Sequence, residues 1–222
     1  MGEWVDWHEG YAPGTPLSRR LAVVQGLIRT ALDRSRPGPI RVISMCAGDG
    51  RDLLGAIADH PRRSDVRARL VELDRELASR ARARAGAASP AVEVVTGDAS
   101  MTSAYVGAVP ADVVLVCGVF GNIIDRDIHH TVDHLPSLCA PNATVIWTRG
   151  TFSPDLTPTI RVWFMEAGFT EIDFAAIPGT TAGVGANLLI SPPRAFDPAV
   201  RLFTFLPRAD RPSVRSGAAS NP

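Results

Sequence analysis

The central part of the chain alternates short apolar runs, rich in β-branched residues, with stretches whose apolar residues recur at helical spacing. Residues 113–116 are all apolar, which is typical of a strand that is buried on both faces in a parallel sheet. The alternation predicts a doubly wound α/β domain with helices on both faces of the sheet. Strands are predicted over residues 40–45, 68–73, 92–96, 112–117 and 144–148.

The helical stretches carry their own start and stop signals. Thr15 and Pro16 are typical of an N-cap and a first helical residue, and this first helix is predicted to end before Pro37. The next two helices are predicted over residues 52–60 and 75–85, and Gly86 ends the second. A later helix is predicted over residues 156–167.

The alternation breaks after the fifth strand. A strand is predicted over residues 170–175, followed by the Gly- and Pro-rich stretch 177–193 and a last strand over 201–206. Since that stretch is long for a hairpin connection, we expect it to cap a substrate pocket. Residues 207–222 have no periodicity and predict a mobile tail. The expected organisation is an N-terminal lid segment and helix (1–36), one ligand-binding domain (37–206) and the tail.

Composition and charge exclude several classes of protein. The 222 residues include 23 basic and 23 acidic ones, and this balance disfavours nonspecific nucleic-acid binding. Cys46, Cys117 and Cys139 lack metal-type spacing and favour a reducing compartment. The sequence shows no signal-peptide pattern, and its longest apolar run is too short for a bilayer. We therefore expect a cytoplasmic monomer or homodimer that binds neither membrane nor nucleic acid.

In an open parallel sheet, ligands bind beyond the carboxyl ends of the strands. After the first strand, Gly48 and Gly50 allow a sharp turn and close approach of the backbone to a ligand, although an ordinary strand-to-helix turn needs the same residues. A dinucleotide loop would have a third glycine where this chain has Leu53. Asp49 and Asp52 would also repel a pyrophosphate. The loop therefore favours a nucleoside ligand without phosphates.

The next two strand ends carry acidic residues. Asp74 lies at the spacing of a ribose-binding carboxylate, which is the favoured interpretation, and it can alternatively cap the helix that begins at Arg75. Glu72 points the same way along the strand and takes the ribose role if the register is shifted by two. Asp98 can accept a hydrogen bond from an adenine amino group while the Ala99 N–H donates to the ring, or it can form an Asx turn.

Over about residues 40–205, the chain resembles class I S-adenosylmethionine-dependent methyltransferases. The resemblance rests on VISMCAGDGRDLL, ARLVELDRELA, VEVVTGDAS, ADVVLVCGVFGNI and LCAPNATVIWTRG, in this order. It implies a Rossmann-like sheet of seven strands, mostly parallel, with an antiparallel last strand at 201–206. It also implies S-adenosylmethionine as cofactor and S-adenosylhomocysteine as product. The implied cofactor-binding residues are Ser44, Cys46, Ala47, Gly48, Gly50, Asp74, Arg75, Asp98, Ala99, Cys117 and Gly118.

The sequence departs from the family pattern at two positions. Ser44 stands where an acidic residue is usual, and Cys46 stands where the first loop glycine is common. Because Ser44 carries no charge, carbonyl groups of Cys46 and Cys117 are expected to hold the methionine amino group. The Asn/Asp-Pro-Pro-aromatic motif of base and amide nitrogen methylases is missing after the fourth strand, which disfavours those acceptors.

The methyl acceptor is less well defined by the sequence. Phe120 and Asn122 follow the fourth strand, and the segment with Trp7, His8 and Tyr11 is expected to fold over the site as a lid. No catalytic residue is identified, because a sulfonium is already an excellent leaving group; Asn122, His129 and Tyr11 are candidates. For His129, a solvated helix face is the favoured interpretation. No metal is expected. Arg149 and Arg161 are either exposed arginines or contacts for an acidic substrate.

Four functions follow from these observations. The leading hypothesis is a methyltransferase for a small-molecule acceptor, because the chain has no basic platform and little room for a docking domain. The alternatives are a peptide or protein methyltransferase, a non-catalytic protein that binds the cofactor or its demethylated product, and a dehydrogenase. Leu53 and the two loop aspartates count against the dehydrogenase.

Overall fold

The computed structural model describes residues 9–88 and 91–211. Its centre is a seven-stranded sheet in the order β3-β2-β1-β4-β5-β7-β6. The strands are β1 Ile40–Met45, β2 Val66–Glu72, β3 Val92–Thr96, β4 Ala111–Val116, β5 Cys139–Gly150, β6 Phe169–Ala176 and β7 Ala182–Leu189. The helices are α1 Pro16–Arg34, α2 Arg51–Ile57, α3 Arg75–Ala88, α4 Asp125–His134 and α5 Thr157–Glu166.

The strand pairing creates a crevice at the middle of the sheet. Strands β1 to β5 are parallel to one another, whereas β7 is antiparallel to both β5 and β6. β1 lies between β2 and β4, so the connections that leave β1 and β4 run to opposite sides of the sheet. The loops after these strands therefore diverge. The architecture confirms the prediction of a mostly parallel, doubly wound sheet with one antiparallel strand.

Alternation along the central strands divides the core into two layers. Val42 and Val113 face the cluster that includes α1 and α2, whereas Ile43 and Val114 face the cluster that includes α4 and α5. All four side chains are almost completely buried. The continuous apolar runs in the sequence thus arise because both faces of the sheet are covered.

The first helix begins as its sequence predicts. Thr15 adopts an extended conformation, and its side chain accepts a hydrogen bond from the Ser18 N–H at 3.1 Å, with Pro16 at the first helical position. Helix α3, in contrast, continues through Gly86 to Ala88 instead of ending at Gly86. A Cβ at Gly86 would meet open space, so this glycine marks neither a close contact nor the end of the helix.

The position predicted for the last strand is wrong. Residues 201–206 form only isolated bridges, from Arg201 to Met101 and from Phe205 to Ile123. The seventh strand is instead β7, which lies inside the Gly- and Pro-rich stretch that was expected to cap a pocket. β7 is inserted between β5 and β6, and only its first residue, Ala182, borders the large cavity described below, together with Thr181 just before it.

The glycines of β7 make room for aromatic rings. A Cβ at Gly185 would lie 2.3 Å from Cε2 of Trp147, the paired residue on β5, and a Cβ at Gly183 would lie 3.0 Å from the ring of Phe174. The Trp147 indole N–H donates to Oδ1 of Asn187 on β7 at 2.8 Å. Small residues in this stretch therefore signal close packing of a central strand.

Within the described ranges 9–88 and 91–211, no helix combines the length and apolar character that a bilayer crossing requires.

We expect Gly185→Ala to lower the free energy of unfolding by about 1–3 kcal/mol, because the added methyl group displaces the Trp147 ring from a close-packed core. Gly26→Ala is the matched control, because its Cβ would face open space within helix α1. This control should raise stability by up to about 1 kcal/mol. Urea unfolding followed by tryptophan fluorescence measures both changes. An unchanged stability of Gly185→Ala would contradict the packing described for β7.

Candidate functional site

A cavity of about 1050 Å³ lies over the carboxyl ends of the parallel strands. The loops that follow β1, β2, β3 and β4 contribute to its wall, together with the last residues of β5, Thr148–Gly150. Gly50, Ser44, Phe120 and His129 are not part of this wall, and Trp7 and His8 lie outside the described residues. The predicted residues that line it are Tyr11, Cys46, Ala47, Gly48, Asp74, Arg75, Asp98, Ala99, Cys117, Gly118 and Asn122.

The loop after β1 turns through three residues with positive φ. These are Cys46 (φ 51°), Gly48 (φ 58°) and Gly50 (φ 76°). Cys46 thus adopts the left-handed conformation that the family's usual glycine would favour, at a cost of about 1–2 kcal/mol. A Cβ at Gly50 would lie 2.7 Å from Leu54 and 2.8 Å from Leu70. Gly50 therefore shapes the loop from below without bordering the cavity.

Glu72 connects the loops after the first three strands. Its carboxylate accepts the Gly48 N–H and the Asp74 N–H, each at 2.8 Å. Its backbone carbonyl accepts the Gly97 N–H at 3.0 Å. The side chain is buried and lines the cavity. From the sequence, Glu72 was predicted to bind ribose only in place of Asp74. Its role in anchoring loops was not predicted, because a carboxylate that anchors loops has no sequence signature of its own.

Asp74 lies beside Glu72 at the start of helix α3. Its Oδ1 accepts the N–H groups of Glu76 at 2.9 Å and Leu77 at 3.0 Å, which is the geometry of a helix cap. The capping interpretation of this residue is therefore realised. Asp74 also borders the cavity, so the same side chain faces any ligand bound there.

The backbone N–H groups of the first loop are largely consumed within the protein. Ala47 donates to the Val71 carbonyl at 3.0 Å, Gly50 donates to the Ala47 carbonyl at 2.9 Å, and Gly48 donates to Glu72. A phosphate-binding loop would direct such groups at its ligand. These amides are therefore committed to the loop itself.

Asp49 does not act as the loop sequence suggested. It is almost completely buried and forms ion pairs with Arg51 and, at 3.2 Å, with Arg84. The two arginines compensate its negative charge. Asp49 therefore does not repel a phosphate, contrary to what its position in the sequence predicts. The case against a phosphate ligand rests instead on the occupied amides and on Asp52, which borders the cavity.

The loop after β3 presents an ionised carboxylate. Oδ1 of Asp98 accepts the Ser100 N–H at 2.9 Å, and Oδ2 lies 3.2 Å from a guanidinium nitrogen of Arg201. Partial burial opposes ionisation, but the hydrogen bonds from Ser100 and Arg201 outweigh it and hold the pKa of Asp98 below its usual value. The predicted Asx turn is present, and Asp98 lies at the cavity beside the buried Ala99.

The turn after β4 corrects one expectation. Gly118 (φ 75°) donates its N–H to Oγ1 of Thr148 at 2.8 Å and accepts a hydrogen bond from the Asn122 side chain at 2.7 Å. After this turn the chain returns to the core, where Phe120 is fully buried with its ring centroid 6.0 Å from that of Trp147. Phe120, predicted to contact the substrate, is therefore a core residue. Asn122 does border the cavity.

Tyr11 extends from the N-terminal segment over the cavity. Its hydroxyl accepts a hydrogen bond from Arg20, and the Arg51 guanidinium lies 4.1 Å from the centre of its ring. Burial raises the pKa of Tyr11, so the phenol keeps its proton at neutral pH. Tyr11 is therefore a hydrogen-bond donor and not a ready proton acceptor.

Two further candidates lie away from the cavity. His129 is an exposed residue of α4, and its ring stacks on Trp163 of α5 with centroids 4.8 Å apart. Ser44 is buried within β1, between its paired residues Leu70 and Leu115. Among the described residues, no three His, Cys, Asp or Glu side chains are grouped so that they could hold a metal ion.

Three arginines at the cavity, Arg20, Arg51 and Arg211, were not predicted from the sequence. Arg149, which the sequence offered as a contact for an acidic substrate, also borders the cavity, and Arg149 and Arg211 are buried. Arg211 falls in the predicted mobile tail, yet it donates to the Leu206 carbonyl at 3.1 Å. Arg161, weighed equally with Arg149 from the sequence, is instead an exposed residue of α5 paired with Glu171 at 2.6 Å. Only the fold distinguishes these two arginines.

The comparisons with known proteins bear on the fold. No protein-family model and no curated protein matches this sequence. Among solved structures, an O-methyltransferase family protein from Burkholderia thailandensis has a TM-score of 0.61 and 18% identity over 81% of this chain, which spans 56% of that protein's length. Magnesium protoporphyrin IX methyltransferase from Synechocystis, crystallised with bound SAM, has a TM-score of 0.62 and 12% identity, covering 82% of this chain and 88% of that one.

The chain has the fold of these methyltransferases. The fold implied by the sequence motifs is therefore confirmed. The [4+2]-cyclase SpnF also matches, with a TM-score of 0.58 and 11% identity over 82% of this chain and 84% of that one. Because neighbours of different activity share the fold, the reaction has to be argued from the site.

We expect Glu72→Gln to lower the free energy of unfolding by about 1–3 kcal/mol, because an amide offers one acceptor oxygen where the carboxylate uses two. Glu76→Gln is the matched control. Glu76 is exposed and pairs with Arg80 across one helical turn, so its loss should cost no more than about 0.5 kcal/mol. Urea unfolding compares the two variants. Equal losses would contradict the anchoring role of Glu72.

The three cysteines are expected to be unreactive in the folded protein. Burial raises the pKa of each thiol, and Glu72 and Asp98 add to this effect at Cys46. Labelling with a chromogenic disulfide at pH 8 should therefore be slow for the native protein and rapid for all three thiols in denaturant. Rapid reaction of any of the three thiols in the native state would contradict the raised thiol pKa values.

Proposed function

We propose that this protein is an S-adenosylmethionine-dependent methyltransferase that acts on a small-molecule acceptor. The observation that carries the proposal is the cavity, which the loops after β1 to β4 border in a methyltransferase fold. Carboxylates lie at the ends of β2 and β3, while the amides of the first loop are committed to internal partners. This arrangement suits a nucleoside that carries hydroxyl and amino groups and no phosphate.

The residues present fit the cofactor. Asp98 and the Ala99 N–H are assigned to adenine, and Glu72 to the ribose hydroxyls, with Asp74 and Arg75 beside it. The backbone of Cys46, Ala47 and Gly48, together with Cys117 and Gly118, is assigned to the methionine part. Gly50 supports this loop from below, and Ser44, inside the sheet, takes no part. When bound, the cofactor supplies an electrophilic methyl group on a sulfonium with an excellent leaving group.

The protein's contribution to methyl transfer is mainly positioning. Two reactants held in line gain much of the rate enhancement without a dedicated base. Tyr11 and Asn122 border the cavity and can orient an acceptor by hydrogen bonds. His129 is assigned no role, because it stacks on Trp163 away from the cavity. Tyr11, protonated and close to Arg20, also helps to exclude water from the cavity mouth.

A small acceptor is favoured over a peptide or nucleic acid. Tyr11 and, from helix α1, Leu17 and Arg20 border the cavity on one side, so the described residues form a concave site. The balanced net charge offers no platform for a polyanion. The methyltransferase from Synechocystis named above is, by its name, specific for a porphyrin, which is also a small molecule.

Titration calorimetry with S-adenosylmethionine, S-adenosylhomocysteine and NAD tests the cofactor. We expect the first two to bind with one ligand per chain and NAD to show no binding, because the loop amides that would hold a pyrophosphate are occupied. Tight binding of NAD with no binding of the other two would overturn the proposal. Transfer of a labelled methyl group to a panel of small acceptors then distinguishes a catalyst from a protein that only binds the cofactor.

The ribose assignment is tested by two isosteric variants. Glu72→Gln should weaken S-adenosylhomocysteine binding by at least about tenfold, because it removes a charged acceptor from a buried position. Asp74→Asn keeps a good helix cap and should stay within about threefold of the unmodified protein. The opposite order would assign the ribose to Asp74, the residue that the sequence spacing favours.

A further inference from the structure

Arg149, at the end of β5, is a buried cation, and two of its three guanidinium nitrogens have no hydrogen-bond partner among the described residues. The residue is 5% exposed and borders the cavity. Its Nε and Nη1 atoms are removed from solvent, and neither has a hydrogen-bond partner within the described ranges. Burial lowers the pKa of Arg149, although Asp125 and Asp155 act in the opposite direction. A guanidinium in this state is costly to the folded protein unless a further group compensates it.

The groups around Arg149 hold it in place without neutralising it. The Phe152 ring lies 4.6 Å from the guanidinium carbon, and Gly150 makes room for that ring, because a Cβ there would lie 2.0 Å from it. Asp155 caps helix α5 by accepting hydrogen bonds from the Thr157 N–H at 2.9 Å and hydroxyl at 2.7 Å. Within residues 9–88 and 91–211, no carboxylate lies within ion-pair distance of Arg149.

Three carboxylates and two buried arginines of the cavity lie on opposite sides of β1. Glu72, Asp74 and Asp98 lie at the ends of β2 and β3, on one side of β1. Arg149 lies at the end of β5, which is on the other side of β1 and beyond β4. Arg211, held at the Leu206 carbonyl, belongs to this basic half, because the Leu206 N–H donates to the Asn122 carbonyl after β4. An anionic group is therefore best accommodated beyond β4.

We propose that the methyl acceptor carries a carboxylate and that Arg149 binds it. This inference rests on the proposed function. A carboxylate matches the planar, multi-donor guanidinium and would supply the compensation that Arg149 lacks. The cofactor also has a carboxylate, but its methionine part is assigned to the loops after β1 and β4, one strand away from Arg149. The acceptor is thus the partner that reaches the end of β5.

The test compares two probes that differ in charge and little in shape, benzoate and benzamide. Each probe is added at about 10 mM, a concentration suited to millimolar binding, to protein that is saturated with S-adenosylhomocysteine. The ionic strength is kept equal. Arg149→Met is the test variant, with Arg149→Gln as a second substitution. Arg161→Met is the control, because Arg161 is an exposed arginine that lies outside the cavity. Melting temperature and calorimetric affinity are measured.

We expect benzoate to raise the melting temperature of the unmodified protein and of Arg161→Met more than benzamide does. This difference should disappear in both Arg149 variants. Without any probe, Arg149→Met should melt at a higher temperature than the unmodified protein, because it removes an uncompensated buried charge. A benzoate-specific rise that persists in the Arg149 variants, or its absence from the unmodified protein, would overturn the proposal.

Two other outcomes would show that Arg149 binds a different anion, either the carboxylate of the cofactor or a phosphate. If Arg149→Met weakens S-adenosylhomocysteine binding tenfold, Arg149 binds the cofactor's own carboxylate and the acceptor assignment fails. If inorganic phosphate stabilises the protein more than benzoate does, through Arg149, the carboxylate class is wrong. Calorimetry of the unmodified protein with S-adenosylmethionine is independent of Arg149. If S-adenosylmethionine does not bind, the proposed function is wrong. The anion site at Arg149 is then tested by comparing benzoate with benzamide in the absence of cofactor.

Discussion

Glu72 ends β2 beneath the cavity, where its carboxylate accepts the amide hydrogens of Gly48 and Asp74 and its carbonyl accepts that of Gly97. These three bonds join the loops after β1, β2 and β3 into one surface. The same bonds disfavour a phosphate ligand, because an N–H group that already donates to Glu72 is not available to a phosphate. A buried carboxylate is stable here only because both of its oxygens are hydrogen-bonded. The shape and the chemistry of the site thus depend on one residue.

Much of the fold could be predicted from local pattern. The five parallel strands have strong signals because a strand buried on both faces is apolar at every position, as residues 113–116 are. The start of α1 was equally clear, because Thr15 and Pro16 act locally. The site loops could be placed since they directly follow these strands. Asp98 and Gly48 therefore lie at the same cavity, although 50 positions separate them in the sequence.

The errors arise where long-range packing overrides local signals. Gly183 and Gly185 suggest a loop, but they lie in a central strand because the rings of Phe174 and Trp147 occupy the space that side chains would need. Phe120 follows a strand, as site residues do, yet Gly118 turns the chain back and buries the ring in the core. Arg149 is buried at the cavity because it lies at the end of β5, whereas Arg161 is exposed because it lies on the outer side of helix α5. None of these features is encoded within a few neighbouring residues.

The two sides of the cavity differ in charge, with carboxylates at the ends of β2 and β3 and, at the end of β5, a buried guanidinium whose Nε and Nη1 have no hydrogen-bond partner among the described residues. We propose that an adenosyl ligand without phosphates lies across the ends of β2 and β3. A crystal structure with S-adenosylhomocysteine tests it most directly. The account predicts ribose hydroxyls within hydrogen-bond distance of Glu72 and the adenine amino group at Asp98. A ligand bound elsewhere, or a ribose that contacts neither Glu72 nor Asp74, would contradict it.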